Sequence, residues 1–276
     1  MIHQIWDWKT TDNATMFAQK WMPEKDIHAS IILVHGFGEH SSRYEHMADF
    51  YCKHHIQVLT FDLRGHGRSA GSRGHIPTQT TFWDDLNEYQ KHVKDSLSNK
   101  PVFLYGHSMG GMIAITYVLK YKPVFTGVIV TSPLIDTAKP LSDATLKLAR
   151  LMNKIAPKFA MDSGLDRSGL SRDQRIVDTY NADPFVFGKA TTRLGVFLAD
   201  SKTCILEHAS EFNLPLLTMA GSGDRIVSTQ EIDKFMQANP KATYKVWNGF
   251  YHELHNEPEK EEVFNYTLDW IKQRMR

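Results

Sequence analysis

A Gly-x-Ser-x-Gly turn is the feature that most limits what this chain can fold into. Residues 102–105 are apolar or aromatic, residues 106–110 read Gly-His-Ser-Met-Gly, and the apolar residues that follow recur with a helical period. A serine at the centre of such a turn has a strained backbone that exposes its Oγ, so the residues two positions away must lack a side chain. The sequence therefore predicts a strand, a sharp turn and a helix, with Ser108 as a nucleophile.

The carboxylate that orients the catalytic base is predicted from chain order. In folds with this turn the acid follows the serine, and the histidine follows the acid. Asp224 comes shortly after the predicted strand 214–219 and before a helix in which Ser228 and Glu231 have the spacing of a capping box. We predict Asp224 as the acid. Asp233 is the alternative, although it falls inside the predicted helix.

The catalytic base is predicted in the same way. The chain has 14 histidines, so a histidine near the C-terminus carries little weight alone. His252, however, lies in the loop after strand 243–247, which is the strand that follows Asp224. We predict that His252 takes the proton of Ser108. His255, one helical turn further on, is the alternative.

Two backbone N–H groups are needed to hold the oxyanion of an acyl-transfer reaction. The amide of Met109 is the first, because it follows the nucleophile directly. The second is expected in a glycine-containing loop after an earlier central strand, and loop 35–38 follows strand 31–34. We assign it to the backbone of Phe37. The ring of His35 is expected to brace this loop by hydrogen bonding rather than to act directly.

The order of predicted elements is that of an α/β protein. Strands and helical patterns alternate after a leading antiparallel pair, which indicates a mostly parallel sheet covered on both faces by helices. In such sheets the functional loops gather at the carboxyl ends of the strands. The predicted strands are 5–8, 17–22, 31–34, 58–62, 102–105, 128–131, 214–219 and 243–247, and the predicted helices include 44–54, 82–97 and 259–273.

The segment 61–69 contains Gly-x-Gly but is not expected to bind phosphate. It lacks the Lys-Ser/Thr of a P-loop and the third glycine of a dinucleotide fingerprint. We interpret Gly65 and Gly67 as turn residues, and Asp62 and Arg64 as groups that brace the loop.

Composition excludes several classes of function. The formal net charge of the 276 residues is +1, so no broad field attracts nucleic acid. Cys52 and Cys204 lack metal-ligand spacing and are expected to be reduced, intracellular thiols. No signal-peptide core or run long enough to cross a bilayer is visible. We expect an intracellular protein, cytoplasmic or peripherally associated with a membrane.

The alternation of strands and helices stops between residues 136 and 208, although the catalytic order requires the core to resume at Leu214. We interpret 136–208 as a helical cap inserted into a core formed by 1–135 and 209–276. A second apolar helix near 194–198 either lines an acyl tunnel or forms the core of the cap.

One cap helix is predicted to be amphipathic and basic. Its apolar face either packs on the core or lies on an anionic membrane surface and admits lipid. The apolar face comprises Leu141, Ala144, Thr145, Leu148, Leu151, Met152 and Ile155, and the basic face comprises Lys147, Arg150, Lys154 and Lys158.

These motifs together resemble the monoacylglycerol lipase family of the α/β-hydrolase superfamily over essentially the whole chain. The residues that carry the resemblance are His-Gly-Phe-Gly-Glu-His-Ser-Ser-Arg-Tyr at 35–44, Asp-Leu-Arg-Gly-His-Gly at 62–67, Gly-His-Ser-Met-Gly-Gly at 106–111, Ser-Pro-Leu at 132–134, Asp-Ser-Gly-Leu-Asp at 162–166 and Tyr-His-Glu-Leu-His at 251–255. Phe37 departs from the small residue that is often found at this oxyanion position, and its ring is expected to narrow or reshape the mouth of the pocket.

The resemblance implies hydrolysis of monoacylglycerol to fatty acid and glycerol through an acyl-enzyme, with no metal or cofactor. It also implies that Glu39, Arg43 and His255 surround the glycerol end of the substrate. Without the resemblance, Glu39 and Arg43 would be interpreted as an ion pair that braces the loop. A lysophospholipase or general carboxylesterase is the alternative function, and a non-catalytic lipid-binding protein is a more distant one.

Overall fold

A computed structural model describes residues 1–97 and 100–275 of the chain. Within these residues the strands form one eight-stranded sheet, in the order β1-β2-β4-β3-β5-β6-β9-β10, and one two-stranded sheet, β7-β8. The strands are β1 (Ile2–Lys9), β2 (Thr15–Met22), β3 (Ala29–Val34), β4 (Ile56–Phe61), β5 (Val102–His107), β6 (Gly127–Thr131), β7 (Ala160–Asp162), β8 (Lys189–Thr191), β9 (Leu216–Gly221) and β10 (Thr243–Trp247).

The large sheet is mostly parallel, as the alternation of elements predicts. Strands β3, β4, β5, β6, β9 and β10 pair in parallel, whereas β1 and β2 form the expected antiparallel pair and β2 runs antiparallel to β4. The mostly apolar strands β3 and β4 are buried along their whole length, because helices cover both faces of the sheet. The register pairs Val34 with Gly106 and His107 with Thr131, so these strands end together. We call this side of the sheet the carboxyl edge.

Helices pack on both faces and form two apolar layers. One layer includes Tyr89, Ile113 and Phe235, and the other includes Tyr51 and Phe264. The predicted helix 82–97 is interrupted at Val93, which separates two helices, Thr81–His92 and Lys94–Leu97. The helices are α1 (Glu45–Lys53), α2 (Thr81–His92), α3 (Lys94–Leu97), α4 (Met109–Tyr121), α5 (Asp143–Ile155), α6 (Gln174–Ala182), α7 (Thr192–Glu207), α8 (Thr229–Gln237) and α9 (Lys260–Lys272).

The 136–208 segment contains α5, α6, α7 and the antiparallel pair β7-β8. It is bound to loops at the carboxyl edge by backbone hydrogen bonds. The amide of Phe187 donates to the carbonyl of Gly38 at 3.0 Å, and the amide of Thr191 donates to the carbonyl of Gly74 at 2.9 Å. A glycine is required at position 38, because φ there is +71° and an added Cβ would overlap the Phe187 carbonyl.

Helix α5 corrects one expectation. Its partly shielded side includes Leu146, Ala149 and Met152, and the helix packs against α7. Leu148 and Ile155 are 58% and 72% exposed, and no residue of α5 is buried. In this structure the apolar face that the sequence predicts is therefore mostly exposed, with Met152 as its partly shielded member, and it does not pack on the core.

Helix α7 behaves differently. It contains the predicted apolar stretch 194–198, and Leu194 and Phe197 are fully buried within the apolar layer that also contains α4.

In the described ranges, 1–97 and 100–275, no helix combines the length and the apolar character that crossing a bilayer requires.

Candidate active site

Ser108 lies on a sharp turn between β5 and α4, with φ +52° and ψ −118°. A Cβ added to Gly106 would overlap the carbonyl of Gly110, and a Cβ added to Gly110 would overlap the carbonyl of Val34. Both glycines of the motif are thus required by the close approach of neighbouring backbone, as the sequence predicts. The turn places the Ser108 side chain at the carboxyl edge, where it is 7% exposed.

The structure brings Ser108, His252 and Asp224 into hydrogen-bond contact. His252 Nε2 is 2.9 Å from Ser108 Oγ, and His252 Nδ1 is 2.8 Å from Asp224 Oδ2. The second carboxylate oxygen of Asp224 accepts from the amides of Ile226 and Val227 at 2.8 and 3.1 Å. Because Asp224 is held from both sides, the imidazole is fixed with one nitrogen toward the carboxylate and the other toward the hydroxyl.

The two alternative residues lie elsewhere. Asp233 accepts a hydrogen bond from the hydroxyl of Tyr244 at 2.8 Å on the exposed side of α8. His255 is fully buried, stacks on Tyr44 with ring centroids 4.6 Å apart, and makes no hydrogen bond to Ser108.

The charges of the pair His252 and Asp224 stabilise each other. Burial alone would lower the pKa of His252, but the neighbouring Asp224 carboxylate raises it above its ordinary value. Burial alone would raise the pKa of Asp224, yet the His252 charge and the two backbone N–H groups lower it. The arrangement therefore favours an imidazolium beside a carboxylate, which is the charge distribution that forms when histidine takes a proton from serine.

Several residues that support this contact were not singled out from sequence. The ring of His107 packs on His252 with centroids 4.9 Å apart, and its Nδ1 lies 3.1 Å from Thr131 Oγ1. The hydroxyl of Ser132 donates to the carbonyl of His252 at 2.8 Å. The position of His107 inside the turn motif and the Ser-Pro-Leu motif at 132–134 were the available signals, but neither indicates which distant loop is contacted.

The 35–38 loop lies directly against the nucleophile. A Cβ added to Gly36 would stand 3.3 Å from Ser108 Cβ, and a Cβ added to Gly110 would stand 2.6 Å from the carbonyl of His35. Across the part of the chain that the structure describes, the amides of Phe37 and Met109 have no hydrogen-bond acceptor. Two unpaired donors thus belong to segments that meet beside Ser108.

Glu39 and Arg43 form part of a buried ion network beneath this loop. Arg43 contacts Glu39 Oε2 at 2.6 Å and pairs in bidentate fashion with Glu253 at 2.7 and 2.8 Å. Glu39 Oε1 accepts from the Gly36 amide and from the Tyr44 hydroxyl, each at 2.7 Å. Burial alone would raise the pKa of Glu39, but the Arg43 charge, together with smaller effects of the nearby histidines and the Tyr44 hydrogen bond, lowers that pKa to about 2.

His255, the third residue expected at the glycerol end, lies close to this network. Its ring is 4.8 Å from that of His107, and among the described residues neither of its ring nitrogens has a hydrogen-bond partner. Burial lowers the pKa of His255 well below its ordinary value, so the ring is neutral.

The 61–69 segment is braced as the sequence predicts. Gly65 and Gly67 have φ of +73° and +48°. Asp62 accepts from the amides of Ser41 and Arg68, each at 2.8 Å. Arg64 pairs with Asp85 and Asp12, each at 2.6 Å.

A mostly parallel sheet with this strand order, a serine on a strained turn after β5, and a histidine and a carboxylate after β10 and β9 define the α/β-hydrolase class. A profile of the hydrolase family described as serine aminopeptidase, S33, matches residues 25–259. The chain belongs to this family, in the branch that contains the monoacylglycerol lipases.

Three relatives illustrate the similarity. An uncharacterized abhydrolase domain-containing protein of Dictyostelium discoideum is 34% identical over 96% of this chain, which spans only 28% of that protein. The monoglyceride lipase of Rattus norvegicus is 33% identical, with 96% of this chain and 89% of the relative covered. The crystal structure of Paleococcus ferrophilus monoacylglycerol lipase superposes with a TM-score of 0.86 at 26% identity, covering 94% of this chain and 99% of that one.

Proposed function

We propose that this chain is a serine hydrolase that cleaves monoacylglycerol to a free fatty acid and glycerol. The observation that carries the chemistry is the Ser108–His252–Asp224 contact, at 2.9 and 2.8 Å. The substrate class is supported by the 33% identity to a monoglyceride lipase across nearly the full length of both chains.

In the proposed mechanism Ser108 attacks the ester carbonyl while His252 takes its proton, and Asp224 stabilises the imidazolium. His252 then protonates the departing glycerol oxygen. Water, activated by the same histidine, hydrolyses the acyl-enzyme and releases the fatty acid. The raised pKa of His252 and the lowered pKa of Asp224 support these roles, because both favour the ion pair that forms during attack.

The amides of Phe37 and Met109 hold the oxyanion of the tetrahedral intermediate in this proposal. Their lack of acceptors within the described residues supports it, since N–H donors without a protein partner are free to donate to a substrate oxygen. Donors held in place before the reaction need no reorganisation when charge develops on the substrate oxygen.

Glu39, Arg43 and His255 form the wall beside the glycerol end. The unpaired ring nitrogens of His255 are suited to contact a glycerol hydroxyl. The polar atoms of Glu39 and Arg43 already have protein partners, so these two residues act mainly by holding the 35–38 loop and Glu253. The neutral His255 ring offers one donor and one acceptor, and the charges of Arg43 and its carboxylate partners already neutralise each other. Such a wall suits a polyol rather than a charged headgroup.

The 136–208 segment acts as a cap over the carboxyl edge, and 1–135 with 209–276 forms the hydrolase core. The exposed apolar residues of α5 lie beside its basic ones, which matches an interfacial helix on an anionic lipid surface. The partner is thus a small lipid delivered from a membrane, and the chain associates with that membrane peripherally.

A substrate panel tests the proposal. Monoacyl-, diacyl- and triacylglycerols, a lysophospholipid, a short p-nitrophenyl ester and an aminoacyl p-nitroanilide are compared, with Ser108→Ala as the matched control. We expect preferred turnover of monoacylglycerol, complete loss in Ser108→Ala, and labelling of Ser108 by a serine-directed phosphonate. Equal rates on the lysophospholipid would favour the alternative substrate class. Turnover that persists in Ser108→Ala would overturn the mechanism, and no labelling with no turnover would leave a lipid-binding role.

A further inference from the structure

The carbonyl of Gly36 is held by the imidazole of the preceding residue. His35 Nδ1 lies 2.8 Å from Gly36 O, and the amide of Leu63 donates to His35 Nε2 at 2.9 Å. A carbonyl can only accept and an amide N–H can only donate, so the neutral ring carries its proton on Nδ1. Burial lowers the pKa of His35, which keeps the ring in this neutral form.

The same carbonyl belongs to the peptide unit that contains the Phe37 N–H. A trans peptide is planar and points its C=O and N–H in opposite directions, and the described residues contain no cis peptide bond. Fixing the direction of Gly36 O therefore fixes the direction of the Phe37 N–H. On the other side of the same residue, Glu39 Oε1 holds the Gly36 amide at 2.7 Å. Side chains thus clamp both peptide units that flank Gly36.

The second function of His35 is to connect two loops. Its Nε2 receives the Leu63 amide, and Leu63 begins the braced turn that contains Gly65 and Gly67. The ring is fully buried and its centroid lies 5.4 Å from that of His66. Because both nitrogens are engaged and the ring cannot swing into solvent, the donor to Gly36 O has one available direction.

We propose that His35 is a positioning residue that aims the Phe37 N–H at the oxyanion. The inference rests on the proposed function, in which Phe37 supplies one of the two oxyanion donors. His35 does not touch the substrate; it acts through the Gly36–Phe37 peptide. Its contribution is therefore expected in the transition state, where charge has developed on the substrate oxygen, rather than in ground-state binding.

Two substitutions separate the two hydrogen bonds of the ring. The amide nitrogen of asparagine stands near the position of Nδ1, so His35→Asn keeps a donor for Gly36 O and loses the acceptor for Leu63. The amide oxygen of glutamine reaches the position of Nε2, so His35→Gln keeps that acceptor and loses the donor. The readouts are kcat and KM for p-nitrophenyl butyrate, with Tm recorded for each variant.

We expect His35→Gln to lower kcat by about tenfold to a hundredfold, with KM changed by less than about twofold. Complete removal of one oxyanion donor costs about 10²–10³ in kcat, and a misdirected donor should cost less. His35→Asn should retain kcat within about threefold of the unaltered chain. The affinity for a trifluoromethyl ketone, which forms an oxyanion on Ser108, should fall in His35→Gln by the same factor as kcat.

If both variants lose kcat to the same extent, and the loss follows the decrease in Tm, His35 has only a structural role. That result would overturn the inference. An unchanged kcat in His35→Gln would do the same. Failure of the proposed function has a different signature, since Ser108→Ala would then still hydrolyse the ester.

A measurement on the unaltered chain does not depend on how the variants fold. Nitrogen-15 NMR of the histidine rings at neutral pH should show His35 protonated at Nδ1 and bare at Nε2. The opposite tautomer, or a doubly protonated ring, would break the link to Gly36 and refute the inference.

Discussion

The carbonyl of Gly38 accepts a 3.0 Å hydrogen bond from the amide of Phe187, which joins the proposed oxyanion loop to the proposed cap. The ring of Phe187 adds a second connection, since it meets the ring of Phe37 edge to face at 5.3 Å. The bulky residue at position 37 therefore contacts the cap directly, and its effect on the mouth of the pocket depends on where the cap lies.

This ring contact can be measured by a double-mutant cycle. Phe37→Ala, Phe187→Ala and the double variant should give a coupling free energy of about 0.5–1.5 kcal/mol in denaturant unfolding, as found for other aromatic pairs. Both single variants should also raise the rate on esters with bulky acyl groups, because the mouth is widened. If the double variant loses as much free energy of unfolding as the two single variants together, the rings do not stabilise the cap on the loop.

Asp224→Asn should lower kcat by about 10⁴, by analogy with other triads. It should also move the acid limb of the pH profile of kcat/KM. Burial lowers the pKa of His252 and the Asp224 charge raises it above 6.5, so the unaltered limb lies above that pH. Removing the charge lowers the pKa, and the limb moves toward lower pH. A limb that stays in place would point to another carboxylate as the partner of His252.

Buried neutral histidines should make the fold sensitive to acid. Burial lowers the pKa of His107 from 6.5 to about 4 and that of His66 to about 3, and it lowers the pKa of His35 and His255 as well. Below pH 6.5 the unfolded chain binds protons that the folded chain excludes, so stability is full above pH 6.5 and decreases below it. Each histidine contributes a slope of up to about 1.4 kcal/mol per pH unit.

Chemical denaturation between pH 7.5 and pH 5 measures this slope. His66→Asn removes one of the titrating rings and should flatten the slope by roughly one histidine's share. A free energy of unfolding that stays constant across this interval would contradict the expectation.

The exposed apolar residues of α5 should matter only when the substrate is presented in a membrane. Leu151→Asp combined with Ile155→Asp should reduce turnover of monoacylglycerol in anionic vesicles about tenfold or more, because acidic groups oppose both burial in the interface and its negative charge. Turnover of a soluble p-nitrophenyl ester should be unchanged. The matched control is Val124→Asp, which alters a residue that is 96% exposed in the loop after α4, at the opposite edge of the sheet. Equal effects of both changes on vesicle turnover would exclude α5 as the docking surface.

The strands and the contacting residues could be predicted because both follow from local patterns and chain order. Strand 243–247 has the predicted bounds, and most others differ by one or two residues. Chain order alone admits both Asp224 and Asp233, and it is the position between a strand and the next helix that distinguishes Asp224, because the loop after β9 lies at the carboxyl edge whereas the exposed side of α8 does not.

Interactions between distant segments could not be predicted in the same way. Arg43 and Glu253 are 210 positions apart, and neither has a local pattern that specifies the other. The capping box at Ser228 forms only in part. The Ser228 hydroxyl accepts from the Glu231 amide, as a capping box requires. The Ser228 amide, however, donates to the carbonyl of Asp136 and so does not bond the Glu231 side chain. The exposure of α5 likewise depends on which neighbours pack on it rather than on its amphipathic period.

The positive φ of Ser108, which the turn requires, also limits the free energy of unfolding that this fold can reach. A non-glycine residue in such a region costs of order 1–3 kcal/mol. Ser108→Gly should therefore unfold at higher denaturant concentration than Ser108→Ala, although both lack the hydroxyl. Selection for heat resistance alone would drive this position toward glycine and toward an inert protein.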